Sequence, residues 1–190
     1  MAVAVGDRCF ALICSAFAVL LGLSLGVVFG YAEPAVVAVA QDRFDASAVN
    51  QTATAIQGAL EARPDGAGVA PAVFVLLLLA NNAIVAGLIA FNYRFLLPVQ
   101  SVIVTFGALF MNGLIAGAML IREVQAAGVG PVLPMVAWGA LEFAAFVTAG
   151  AVGYLGLTGR RPDGRGTFAA GILPTLAAAG LLEGAYLTLF

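Results

Sequence analysis

The stretch "VLPMVAWGALEFAAFVTAGAVGYLGL", residues 132–157, decides the fold class of this chain. It is almost entirely apolar and longer than the roughly 20 residues that an α-helix needs to cross a bilayer. Its only charged residue is Glu142. A carboxylate in hydrocarbon is energetically costly and usually faces the interior of a helical bundle or a water-filled cavity. The stretch therefore predicts a transmembrane helix that contains one carboxyl group, that of Glu142, whose role requires an explanation.

Other stretches of the chain have a similar length and apolar character. They are residues 9–32, 71–91, 97–120 and 168–190. Together with the first stretch they predict an all-α fold, an integral membrane bundle of five transmembrane helices. This bundle would form a single domain over residues 1–190, and the lipid bilayer is the first partner that we expect.

The composition agrees with membrane insertion and argues against several classes of function. Hydrophobic residues make up 63% of the chain and charged residues 9%, against about 25% charged residues in soluble domains. The sequence has no histidine and no lysine, so it lacks the commonest general base and cannot form a lysine Schiff base. Cys9 and Cys14 match no metal-binding spacing, and the net charge of -2 suggests no nucleic-acid partner. We expect no enzymatic activity, no catalytic residue, no metal and no cofactor.

The long polar segment between the first two spans, residues 33–69, predicts an outer amphipathic helical loop on the membrane surface. Arginines predict the orientation, because positive residues are more frequent on the cytoplasmic side. With a cytoplasmic amino terminus, the inner arginines are Arg8, Arg94, Arg160, Arg161 and Arg165. The outer arginines are Arg43, Arg63 and Arg122. We therefore expect a multi-pass protein of the cell membrane with its carboxy terminus outside.

Polar residues inside the predicted spans form a candidate site: Asn81, Asn82, Asn112, Glu142 and Glu183. Because successive spans alternate in direction, these residues would lie at a similar depth, roughly 10–16 Å below one surface at ~1.5 Å per residue. Asparagine and protonated glutamate can join membrane helices by hydrogen bonds. The same residues could instead bind a proton or a cation during transport. The sequence leaves both interpretations of this intramembrane polar layer open.

Glycines near the polar layer predict close packing between helices. Gly113 and Gly117 form a GxxxG pair, a spacing that lets two membrane helices approach closely. Gly139 lies in the fourth predicted span and Gly184 in the fifth. We expect all four glycines to lie at helix–helix contacts.

The polar residues and their surroundings resemble the stage II sporulation protein M family of multispanning membrane proteins. The resemblance extends over about residues 74–190 and is carried by "LLANNAIVAGLIAF", "LFMNGLIAGAML", "WGALEFAAFVTAGAVGYLGL" and "LLEGAYLTLF". The residues that match the family pattern in order and approximate spacing are Asn82, Asn112, Gly113, Gly139, Glu142 and Glu183. This chain has Trp138 where the family usually has a histidine. A mechanism that needs this histidine as a proton carrier therefore cannot operate here.

The resemblance implies a non-enzymatic membrane protein, a scaffold or anchoring partner in a membrane or envelope assembly. Such a protein would associate with further copies of itself or with other membrane or envelope proteins. The alternative is a small transporter or channel that handles protons or ions at the polar layer. A scaffold predicts an exposed apolar face of small residues, whereas a transporter predicts that water reaches the polar layer.

Overall fold

The computed structural model describes residues 5–33, 35, 38–39, 51, 55, 70–160 and 163–189. The helices, numbered in chain order, are α1 (Val5–Ala32), α2 (Ala70–Phe91), α3 (Pro98–Ala127), α4 (Val129–Leu157), α5 (Gly164–Thr167) and α6 (Leu173–Leu189). A 3-10 turn, Asn92–Arg94, follows α2. A π-helical segment, Phe168–Ile172, joins α5 to α6.

The predicted all-α fold is confirmed. No strand occurs among the described residues, and five helices are long and apolar enough to cross a membrane. Such a set of helices is compatible with a multi-pass membrane protein.

The helix bounds differ from the predicted spans at several ends. α4 begins at Val129, earlier than its apolar stretch predicts. α3 continues to Ala127 through Arg122 and Glu123, because helical hydrogen bonding does not stop where the apolar pattern stops. Apart from a few isolated positions, the predicted outer amphipathic loop, residues 33–69, lies outside the described residues.

α4 is the central helix of the bundle and contacts all the other spans. α1 and α3 form one pair against it, while α2 and α6 form a second pair. The main hydrophobic cluster draws buried side chains from every span, among them Val19, Ala86, Leu109, Phe146 and Leu176. α2 and α3 are neighbours in sequence but touch only slightly, so the two pairs lie on different sides of α4.

We name the two ends of the bundle after one residue at each end, Arg94 and Gly128. The Arg94 end contains the link between α2 and α3, and it is the end predicted to be cytoplasmic. The Gly128 end contains the one-residue turn between α3 and α4, where Gly128 has a φ of 80°, a conformation that glycine adopts without a Cβ clash. At the Arg94 end, Arg160 Nη2 lies 3.0 Å from Asp7 Oδ1. This ion pair joins the segment after α4 to the beginning of α1.

α1 and α3 make the most extensive contact in the bundle, and glycines of α1 make it possible. A Cβ atom added at Gly22 would collide with the backbone carbonyl of Phe110. One turn later, a Cβ atom at Gly26 would collide with the carbonyl of Leu114. Since both numbers rise together, the two helices run in parallel.

Glycines of α3 face α1 in the same way. A Cβ atom at Gly113 would collide with the carbonyl of Val19, and one at Gly117 with the carbonyl of Leu23. The backbone of each helix therefore packs directly against the glycines of the other helix. This brings the two backbones into direct contact, as small residues do between membrane helices.

The two halves of α4 have different surroundings. Toward the Arg94 end, the helix is buried at most positions between Ala145 and Leu155. Toward the Gly128 end, Leu133, Ala137 and Ala140 are exposed. Among the described residues, α4 is thus more closely surrounded at the Arg94 end than at the Gly128 end.

Candidate functional site

A short hydrogen bond joins α2 to α4 near the middle of α4. The Asn82 amide donates to Glu142 Oε1 at 2.6 Å, and both side chains are half-buried. The neighbouring Asn81 amide donates to Asn82 Oδ1 at 3.4 Å. The first bond is a charge-assisted contact when Glu142 is ionised, which would be stronger than a neutral hydrogen bond.

A second carboxylate lies beside this bond. Glu183 on α6 is half-buried and close enough to Glu142 for the two carboxyl groups to interact electrostatically. Gly184 helps α6 to approach α2, because a Cβ atom there would lie 2.7 Å from Val75 Cγ2. Three helices thus supply one polar group each, which we name the Asn82–Glu142–Glu183 group.

Asn112 lies apart from this group. Its amide donates to the Ala108 carbonyl at 2.8 Å, one turn earlier on α3. α3 packs with α1 on the other side of α4 from α2 and α6. A similar depth in the membrane therefore does not bring Asn112 to the carboxylates, and the predicted layer divides into a three-helix group and a separate asparagine.

Two aromatic rings lie next to the carboxylates on the side of the Gly128 end. Trp138 precedes Glu142 by one turn on α4, and Tyr186 follows Glu183 by about one turn on α6. Their ring centroids are 5.3 Å apart, and the planes are inclined by 46°. The Tyr186 hydroxyl donates to the Pro131 carbonyl at 3.3 Å. The two rings form a pair across α4 and α6 that adjoins both carboxylates.

The four glycines selected from the sequence occupy different environments. Gly113 and Gly117 meet α1, and Gly184 meets α2. A Cβ atom at Gly139 would have no neighbouring atom within 4 Å. Gly139 therefore lies on an open face of α4 rather than at a helix contact.

A buried polar pair at the Arg94 end was not anticipated from the sequence. Asn92 Nδ2 donates to Thr105 Oγ1 at 2.9 Å and to the Ile89 carbonyl at 3.2 Å. Asn92 is only 6% exposed, and within the described part of the chain its Oδ1 has no hydrogen-bond partner. Asn92 follows the end of its apolar stretch and so resembled a loop residue. The signal that could have identified its partner is the helical spacing of Ser101 and Thr105, both buried on α3.

The chemistry of the Asn82–Glu142–Glu183 group favours a proton over a metal ion. In the part of the chain that the structure describes, no group of three or more histidine, cysteine or acidic residues could hold a metal. Calcium needs six to eight oxygen ligands, and the Asn82 amide turns a donor toward Glu142 rather than an oxygen. Two acidic side chains near each other among apolar helices, by contrast, favour binding of a proton by one of them.

Comparisons with known proteins provide no identity for this arrangement. No known protein family, curated protein or solved structure matches the chain. The function therefore has to be argued from the geometry of the group.

Proposed function

We propose that this multi-pass membrane protein binds and releases protons at the Asn82–Glu142–Glu183 group, as a small proton-conducting transporter or channel. The observation that carries the proposal is a half-buried Glu142 on α4 that accepts a 2.6 Å hydrogen bond from Asn82 of α2, with a second half-buried acidic residue, Glu183, on the neighbouring α6. We also retain the predicted orientation, with the Arg94 end in the cytoplasm and the Gly128 end outside the cell membrane.

Helix association alone does not account for the pair. The bond from Asn82 to Glu142 is sufficient to join α2 to α4, and polar contacts of this kind are known to join membrane helices. Glu183 adds a second acidic group beside the first, which opposes association when both are ionised. The described bond between helices uses only Glu142, whereas proton binding uses both glutamates.

The charge state of the pair follows from its surroundings. Two ionised carboxylates near each other among apolar helices would repel each other and lack water to stabilise them. A proton on one of the two groups removes this repulsion. A negative charge on Glu142 is stabilised by the donor hydrogen of Asn82. In the proposed cycle, Glu142 and Glu183 together alternate between one bound proton and two, so that one proton is taken up and released.

Proton flux into liposomes tests the proposal. We expect purified protein in liposomes with a trapped pH-sensitive dye to dissipate an imposed proton gradient faster than protein-free liposomes. Glu142→Gln and Glu183→Gln keep the size of the side chain but cannot carry the proton. Each should lower the protein-dependent rate at least tenfold.

The matched control is Glu123→Gln, which changes a glutamate of α3 outside the proposed group. This variant should keep the wild-type rate, and all variants should show wild-type helicity by circular dichroism. The proposal fails if wild-type protein gives no flux above that of protein-free liposomes. It also fails if both substitutions in the group leave the rate unchanged.

A second candidate function is the scaffold or anchoring role that the resemblance to the stage II sporulation protein M family implies. The observation that favours it is an exposed face of small residues on α4, formed by Ala137, Ala140 and Ala144. Faces of this kind allow close approach between membrane helices. Single-cysteine Ala140→Cys protein in lipid would cross-link between copies if the face joined them. A strictly monomeric protein without such cross-links would argue against self-association.

A further inference from the structure

We propose that the Trp138–Tyr186 ring pair is the barrier that controls access to Glu142 and Glu183, and that protons reach the carboxyl groups from the Gly128 end. This inference rests on the proposed function, because it assigns the route to the same group. It concerns residues that do not themselves bind the proton.

Toward the Gly128 end, α4 extends for about 20 Å from Glu142 at ~1.5 Å per residue, but the positions of α4 that are buried on this side are only Val132 and Trp138. Trp138 lies about one helical turn, or ~6 Å, from Glu142 along α4. Tyr186 lies a similar distance from Glu183 along α6 and meets the indole ring at 5.3 Å between centroids. Trp138 is 9% exposed, so a buried indole ring lies on the Gly128 side of Glu142, with the half-buried Tyr186 ring against it.

The barrier toward the Arg94 end is thick. From Glu142, α4 continues for about 22 Å at ~1.5 Å per residue before it ends. Along this length it is surrounded by the main hydrophobic cluster, which contains Phe146, Ala149 and Val152 of α4. The cluster also contains buried side chains of the facing helices: Ala86, Ile89, Ile172 and Leu176. Water would have to displace several packed layers to reach the carboxyl groups from this side.

One bond that holds the ring pair is long. The Tyr186 hydroxyl donates to the Pro131 carbonyl at 3.3 Å, whereas O–H···O bonds are most often about 2.7–2.8 Å. Nearby positions of α4, such as Leu133 and Ala137, are exposed, so displaced rings have space on this half of the helix. In the proposed opening step, a change of side-chain rotamer at Tyr186 uncovers the carboxyl groups without separating the helices of the core.

Access can be measured with a cysteine at the position of Glu183. The background carries Cys9→Ser and Cys14→Ala, so that Glu183→Cys provides the only thiol. A charged, membrane-impermeant maleimide is added to either face of proteoliposomes, and the labelling rate is measured. Separate Val129→Cys and Phe95→Cys proteins, which change exposed positions at the two ends, identify the Gly128 and Arg94 sides.

The decisive comparison removes an aromatic side chain on either side of Glu142. Trp138 lies four residues before it and Phe146 four residues after it, and both are buried. We expect Trp138→Ala to increase labelling from the Gly128 side at least tenfold, whereas Phe146→Ala leaves both rates within twofold of the parent. Tyr186→Leu provides a second opening variant and should increase labelling in the same direction.

The inference is overturned if Phe146→Ala increases labelling from the Arg94 side. It is equally overturned if neither Trp138→Ala nor Tyr186→Leu changes the rate in protein that retains its helicity. Labelling does not require proton flux, so the two proposals fail separately. One-sided labelling without flux contradicts the proton function alone, and flux with unchanged labelling contradicts the barrier alone.

Discussion

The direct contact between the backbones of α1 and α3 predicts that one methyl group at Gly113 will destabilise the protein. A Cβ atom there would collide with the Val19 carbonyl, and ordinary contacts require at least 3.4 Å. Gly113→Ala is thus expected to separate the two helices by roughly 1 Å. A gap of this size forfeits about half of the attraction between the atoms that face each other.

The magnitude of the destabilisation follows from the dispersion attraction that this separation removes. The atoms of a single buried side chain have about 40 close neighbours, each attracted by ~0.15 kcal/mol, so losing half of this attraction costs about 3 kcal/mol. Alanine recovers up to about 1 kcal/mol through its higher helix propensity. The expected net destabilisation by Gly113→Ala is therefore about 2 kcal/mol.

The matched control is Gly107→Ala on the same helix. A Cβ atom at Gly107 has no neighbouring atom within 4 Å, so the same substitution should be neutral or stabilise by up to about 1 kcal/mol. Reversible unfolding in mixed detergent micelles can be followed by circular dichroism and by the fluorescence of Trp138, the single tryptophan. Equal unfolding free energies for the Gly113→Ala and Gly107→Ala proteins would refute the proposed backbone contact.

Three further predictions concern polar contacts. Asn82→Leu should destabilise the fold by about 1 kcal/mol because it removes a hydrogen bond between two helices. Asn112→Leu should change the unfolding free energy by less, since the bond of Asn112 lies within α3. Equal changes in the two variants would contradict the placement of Asn82 at a helix contact and of Asn112 apart from it. Thr105→Val should cost about 1–2 kcal/mol, because it leaves the buried Asn92 amide without one acceptor, and an unchanged unfolding midpoint would argue against this bond. Asp7→Asn should cost no more than about 0.5 kcal/mol, as expected for a partly exposed ion pair, and a loss several times larger would indicate a further role for Asp7.

The spans could be predicted from the sequence because membrane insertion depends on local hydrophobicity. Long apolar stretches are recognisable without knowledge of their neighbours, and α4 followed from its own residues. Its exact beginning did not, because helical hydrogen bonding extends beyond the apolar stretch. The chain segments that α4 contacts also could not be derived, since every span presents apolar residues on several faces.

The composition of the candidate site could be predicted only in part. The sequence identified Asn82, Glu142 and Glu183 because polar residues are conspicuous in apolar spans. It also placed Asn112 with them, since depth can be estimated from helix length but the direction that a helix faces cannot. The contact between Trp138 and Tyr186 depends on the register of α6 against α4. This register cannot be predicted from the sequence of either helix alone.

The glycines illustrate the same limit. The GxxxG spacing of Gly113 and Gly117 predicts their close packing, and Gly22 and Gly26 of α1 have the same spacing and the same kind of contact. Gly139 was selected for its place in a family pattern but lies on an open face. A spacing of small residues indicates that close packing is possible, and only the neighbouring backbone determines where it occurs.

Infrared spectroscopy of the protein in lipid tests the central claim, a bound proton on Glu142 or Glu183, most directly. A protonated carboxyl group has a C=O stretching band distinct from the bands of a carboxylate. We predict one such group per chain at neutral pH, absent when Glu142→Gln and Glu183→Gln are combined and retained in Glu123→Gln. A wild-type spectrum without a protonated carboxyl band at neutral pH, or a band that survives the double substitution, would contradict the account.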